Sequence, residues 1–159
     1  MTRSSTTAGA LQEAQLPVRA KLAAAWTSFM FLYIYVDYLH LYKPGSIDEI
    51  LVGVVHEFDT GPTFVALALT LVAIPILMIA LSATLPARVN RATNLVVATL
   101  FIPVSMYNVA GEESWAYSYF YGFSIGLEVL LLAFILRAAW TWPRTARATA
   151  GRDLADARV

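Results

Sequence analysis

The chain contains no cysteine. Disulfides, thiolate metal sites, iron–sulfur clusters and Cys-x-x-Cys redox chemistry are therefore excluded. Histidine is nearly as scarce. His40 and His56 are the only 2, too few for a multi-histidine metal cage within one chain, and no metal site is expected. Charge is sparse too: 14% of the 159 residues are charged, against about a quarter in an ordinary soluble domain. The formal net charge is +0, which gives no bulk attraction to nucleic acid. There is no glycine-rich phosphate loop, and neither histidine has a serine placed to act as nucleophile, so neither cofactor nor catalytic residue is expected.

Apolar residues are what the chain has in excess: 58% of the total, with a mean hydropathy of +0.62. A transmembrane helix needs about 20 mostly apolar residues at a rise of ~1.5 Å each. Four stretches qualify, at about 22–42, 63–85, 92–110 and 115–139. The first is longer than the apolar region of a signal peptide, and Tyr-Lys-Pro-Gly-Ser follows it instead of a cleavage site. It reads as a retained span. Pro75 and Pro103 fall inside spans two and three, where a bundle tolerates kinks. The expected fold is an all-α membrane protein, a four-transmembrane-helix bundle over 21–142. Polar tails flank it at 1–20 and 143–159, too poor in apolar residues to order themselves.

The basic residues set the orientation. Arg3, Arg19, Lys21, Arg88, Arg91, Arg137, Arg144, Arg147, Arg152 and Arg158 all fall on one side of four spans, with Arg88 and Arg91 in the short loop between spans two and three. Lys43 alone falls on the other side, among Asp48, Glu49, Glu57, Asp59, Glu112 and Glu113. The positive-inside rule then puts both termini in the cytoplasm. Trp26, Trp140 and Trp142 near the inner boundary, and Tyr38, Tyr42, Trp115, Tyr117 and Tyr119 near the outer one, read as interfacial anchors.

Between spans one and two, Ile47, Ile50, Leu51, Val54, Val55 and Phe58 recur at helical spacing. They predict a short amphipathic outer helix over 46–58, capped by Ser46 with Glu49 at the capping-box position. Such a helix lies on the outer surface or folds over the mouth of the bundle, with His56 on its solvated side. Span four holds Gly122-x-x-x-Gly126, extended by Ser118, small residues that let helix backbones approach in lipid. Packing within the same bundle is the preferred reading; a seam between copies is the other.

Asp37 and Glu128 are the chemically pointed residues. A carboxylate at membrane depth costs about 2.5–3.5 kcal/mol on insertion scales, so it normally faces a cavity or a partner. On span one, Trp26, Met30, Tyr33, Asp37 and His40 follow one face; on span four, Tyr117, Tyr121, Ser124 and Glu128 do. At ~1.5 Å per residue the two acids differ in height by about one helical turn, so both can line one cavity that opens outward. Ser105, Tyr107 and Asn108 from span three would close a third wall, while in span two Thr70 is the polar group on offer. Tyr33, Asp37, His40, Asn108, Tyr121, Ser124 and Glu128 are thus candidates for binding a proton, a cation or a small polar solute. The structural alternative pairs Asp37 with His40 or a tyrosine and lets Glu128 lock helices together. The Glu-x-x-His pattern of a di-metal bundle is absent.

Three stretches carry a family resemblance. They are KLAAAWTSFMFLYIYVDYLHLYKPG (21–45), the basic Asn-Arg-x-x-Asn turn in LPARVNRATN (85–94), and YGFSIGLEVLLLAFILRAAWTW (121–142). They resemble domain-of-unknown-function family 6326, small bacterial membrane proteins. The resemblance implies four spans in a bacterial plasma membrane and names no activity. In the family pattern span two carries an acid before Ile-Pro; here Ala73-Ile74-Pro75 stands instead. The function expected is a small proton- or cation-linked solute carrier or binder. The alternative is a structural or accessory subunit, and a lipid- or quinone-linked enzyme is least favoured. Expected partners are the bilayer, a small polar or cationic solute, and further copies or other membrane subunits.

Overall fold

A computed structural model describes residues 16–55, 58–107 and 115–143. His56, Glu57, Asn108, Glu112, Glu113 and most of both tails lie outside the described residues. Helix α1 spans Val18–His40 and the short α2 spans Ser46–Leu51. Strands β1 (Val54–Val55) and β2 (Phe58–Asp59) pair antiparallel, Val54 opposite Asp59. Then come α3 (Pro62–Thr84), α4 (Ala87–Tyr107), a 3₁₀ turn (Trp115–Tyr117) and α5 (Ser118–Trp140). The 4 long helices are long and apolar enough to cross a membrane.

Two boundaries move for local reasons. α1 begins at Val18 instead of 22, taking Val18–Ala20 out of the expected tail, because Pro17 at φ −55° opens it and accepts the Lys21 N–H at 3.1 Å. α4 begins at Ala87 instead of 92. Pro86 starts it, accepting the Asn90 N–H at 2.9 Å, so Arg88 and Arg91 belong to the first turns of α4 and not to a loop. The Asn-Arg-x-x-Asn stretch is helix as well. Helices α3 and α4 both run through their prolines, Pro75 and Pro103, without a break.

The outer helix is shorter than its apolar periodicity suggests. It stops at Leu51, and Gly53 takes φ 84°. A left-handed glycine turns the chain back, and the β-branched pair Val54–Val55 settles into the hairpin. Ser46 does not cap α2. Gly45, at φ 94°, holds the cap position with no side-chain bond, while Ser46 is buried.

α1 and α5 form the centre of the bundle. α1 packs against α3 and α5, α4 packs against α5, and α3 meets α4 only sparingly although two residues join them. The core fills the half of the bundle that carries Arg19, Lys21, Arg88, Arg91 and Arg137, here called the basic end. Trp26, Phe29 and Phe101 make an edge-on aromatic cluster there, with centroids 5.6, 5.8 and 6.2 Å apart. Each such pair adds about 0.5–1.5 kcal/mol beyond its burial. Leu22, Met78, Ala98, Leu132 and Ile135 close around it. Outside, Val65, Leu69, Phe123 and Leu130 stand more than half exposed. So continuous an apolar surface matches hydrocarbon, not water.

Candidate functional site

At the hairpin end the four helices separate around a cavity of about 700 Å³. α1 supplies Tyr33, Asp37 and His40; α5 supplies Tyr121, Ser124 and Glu128. The 4-3 spacing of each set puts it on one helix face, and the contact between α1 and α5 turns the two faces to the same space. α3 offers only apolar side chains, Phe64, Leu67, Ala68, Leu71 and Val72. Pro103, Val104 and Tyr107 of α4 stand opposite them, and Ile50, Val55 and Phe58 roof the space.

Glu128 sits at the midpoint of the 23-residue α5 and is only 2% exposed. Its Oε2 is buried without a hydrogen-bond partner. The Ser105 hydroxyl lies close enough to interact with the Glu128 carboxyl, but outside good hydrogen-bond geometry. Asp37, near the end of α1, is within electrostatic reach of Glu128. Unpartnered polar atoms in a buried site are rare and expensive, about 1–3 kcal/mol each. Glu128 stands on the cavity wall, while the expected third-wall residue Ser105 is not among the residues that line it.

At the rim, His40 Nδ1 shares a hydrogen bond of 2.5 Å with Tyr121 Oη, and the Ser46 hydroxyl lies 3.3 Å from His40 Nε2. Lys43 Nζ stands 5.5 Å from the Tyr117 ring and 5.9 Å from the Tyr121 ring. These contacts tie α1, the start of α2 and the start of α5 together above the cavity. They also use Ser46 as a latch on His40, a role its capping-box position concealed.

Asp37, His40, Tyr33, Tyr121, Ser124 and Glu128 are thus brought together, with Tyr107 added from α4. Thr70 is not part of the wall. It is exposed, and its hydroxyl bonds the Ala66 carbonyl of its own helix at 2.8 Å. Packing of Gly122 and Gly126 inside the bundle is not observed. Both are exposed, and a Cβ at either would meet no described atom within 4 Å. Ser118 on the same helix is half-buried.

A second polar group, at the basic end, escaped the sequence reading. The Trp26 indole N–H donates to Asn94 Oδ1 at 2.7 Å, and the Ser82 hydroxyl approaches the same oxygen at 3.3 Å. Asn94 Nδ2 donates to Asn90 Oδ1 at 2.7 Å, and Asn90 Nδ2 to the Ser82 carbonyl at 2.6 Å. Trp26 is therefore no interfacial anchor but a fully buried cross-link between helices. The signal available was Asn-x-x-x-Asn, two amides on one helical face. Arg91 stacks over Trp140 at 5.7 Å nearby. Every amide of this cluster is engaged, so it reads as structure, in contrast to the unsatisfied acid above it.

No curated protein and no solved structure matches the chain. Residues 13–149 match the Family of unknown function (DUF6326), a stretch that takes in all four long helices, the cavity and the asparagine cluster. With that match extending over most of its length, the four-helix chain belongs to the DUF6326 family.

Proposed function

We propose that this membrane protein binds or carries a small solute, using Glu128 and Asp37 to exchange it against a proton or a cation. The observation that carries the reading is Glu128 Oε2: buried at mid-helix, unpartnered, and set on the wall of a 700 Å³ cavity. A carboxylate that served only to join helices would have its oxygens satisfied, as the Asn90–Asn94 amides are. The segregated basic residues support both termini in the cytoplasm with the cavity in the outer half of the bundle, and the family resemblance supports a bacterial plasma membrane setting.

Thermal unfolding of purified Glu128→Gln and Asp37→Asn against wild type tests it. A functional acid is held at a cost to stability, so Glu128→Gln unfolds at the same temperature or higher. A drop of several degrees would assign Glu128 to the structural framework and remove the reading. A second reading, an accessory subunit acting through contacts with other membrane chains, draws on the outward-facing Gly122 and Gly126.

A further inference from the structure

The chemistry of the cavity walls narrows the ligand class, on the premise that the cavity is a binding site at all. About 700 Å³ lies within the range of pockets that hold drug-sized molecules. It is far more room than a bare inorganic ion needs, since one water occupies about 30 Å³. The walls are wrong for a hydrated ion as well: α3 contributes no polar side chain to the lining, and α4 only Tyr107. An anion fares no better, because neither Lys nor Arg is among the described lining residues. The polar groups instead collect on one side, Glu128 and Asp37, with tyrosine rings around them. Aromatic faces attract cations, and Tyr121 already has Lys43 Nζ 5.9 Å from its centroid.

The route in is apolar too. Leu67 of α3 and Tyr107 of α4 both line the cavity, yet they are 62% and 60% exposed. A mouth therefore lies between α3 and α4, the helices that make so little contact, and exposed Asp37, Ile50 and Phe58 leave the hairpin end open as well. In a bilayer that gap faces acyl chains, not bulk water.

We infer that the cavity takes a lipophilic organic cation, an apolar body with one positive centre, which slips in from the lipid between α3 and α4 and seats its charge against Glu128 and Asp37. A buried carboxyl without a counter-charge holds either a proton or a cation. Seating the ligand therefore displaces the proton of Glu128, which leaves to water, and the charge of the site is conserved. The titratable groups facing Glu128 are Asp37, Tyr33 and His40 from α1, Tyr107 from α4 and Tyr121 from α5. Lys43 stands at the rim, and α3 supplies none.

The test uses the full chain in lipid nanodiscs, empty nanodiscs subtracted. Tetraphenylphosphonium is the probe, tetraphenylborate is the probe of the same shape and opposite charge, and sodium and methylammonium are the small cations. The phosphonium binds saturably, releases protons into weakly buffered solution, and weakens at least tenfold as the pH is lowered. Glu128→Gln weakens it at least tenfold, and so does Ala68→Trp, which fills the apolar wall without touching an acid. Should Glu128→Gln fail to fold, wild-type proton release and Ala68→Trp decide. Equal binding of the borate overturns the inference, since charge would then play no part. Proton release to sodium or methylammonium without phosphonium binding overturns the lipophilic class and leaves the broader reading standing. No proton release to any cation overturns both.

Discussion

Trp26 and Asn94, 68 residues apart in sequence, meet in the buried half of the bundle through a 2.7 Å hydrogen bond from indole to amide oxygen. The bond joins α1 to α4, which also meet where the Phe101 ring packs edge-on against Trp26 and Phe29. Asn94 passes the connection to Asn90, and Ser82 brings in α3. One tryptophan thereby completes a polar clasp across three helices.

Trp26→Phe keeps most of the packing and removes the donor. Asn94 Oδ1 is left with the longer contact from Ser82, at a cost of about 1–2 kcal/mol. A lowered midpoint in detergent-induced unfolding is the expected result, and Asn94→Leu, which also strips Asn90 Oδ1 of its donor, lowers it further. An unchanged midpoint for both would mean the clasp contributes nothing.

His40→Phe cuts the link from α1 to Tyr121 and Ser46 while keeping a ring in place. The α2–hairpin segment should then loosen. Hydrogen exchange of amides 46–55 is expected to speed up at least tenfold, with exchange around Phe29 and Leu132 unaltered. Equal acceleration in both regions would show general destabilisation, not release of a latch.

Gly45 and Gly53 sit at φ 94° and 84°, where a Cβ costs about 1–2 kcal/mol. Gly45→Ala has open space around it, so its effect is conformational alone. Circular dichroism should leave the long helices intact while the same amides exchange faster. Full protection in Gly45→Ala would argue against the left-handed turn at Gly45.

The lack of cysteine makes single-cysteine labelling clean. Ser124→Cys faces the cavity and Leu130→Cys faces outward from the same helix. A small water-soluble thiol reagent is expected to reach the first at least tenfold faster than the second in a bilayer. Equal rates would leave the cavity without water.

Both carboxylates and their stripes were legible because a charged group in an apolar run stands out and helical spacing fixes its neighbours. Tyr33, Asp37 and His40 meet Tyr121, Ser124 and Glu128 for that reason. The outer segment was legible only in part. Its i, i+3, i+4 pattern continues to Phe58, but one positive-φ glycine and two valines outweigh periodicity over so short a stretch. Asn90 and Asn94 were hidden by the arginines beside them, which made the segment read as a loop. Gly122 and Gly126 misled in the opposite sense, since sequence gives the spacing of small residues but not the direction they face. Asn108 lies outside the described residues.

Leu85 and Pro86, the two residues between α3 and α4, sit next to the clasp, while the far ends of the same helices border the mouth. A rod of 21–23 residues is about 30–35 Å long. Swinging one such rod by ten degrees about its fixed foot carries its tip by roughly 5 Å. Tongs built this way widen at the points while the rivet scarcely shifts.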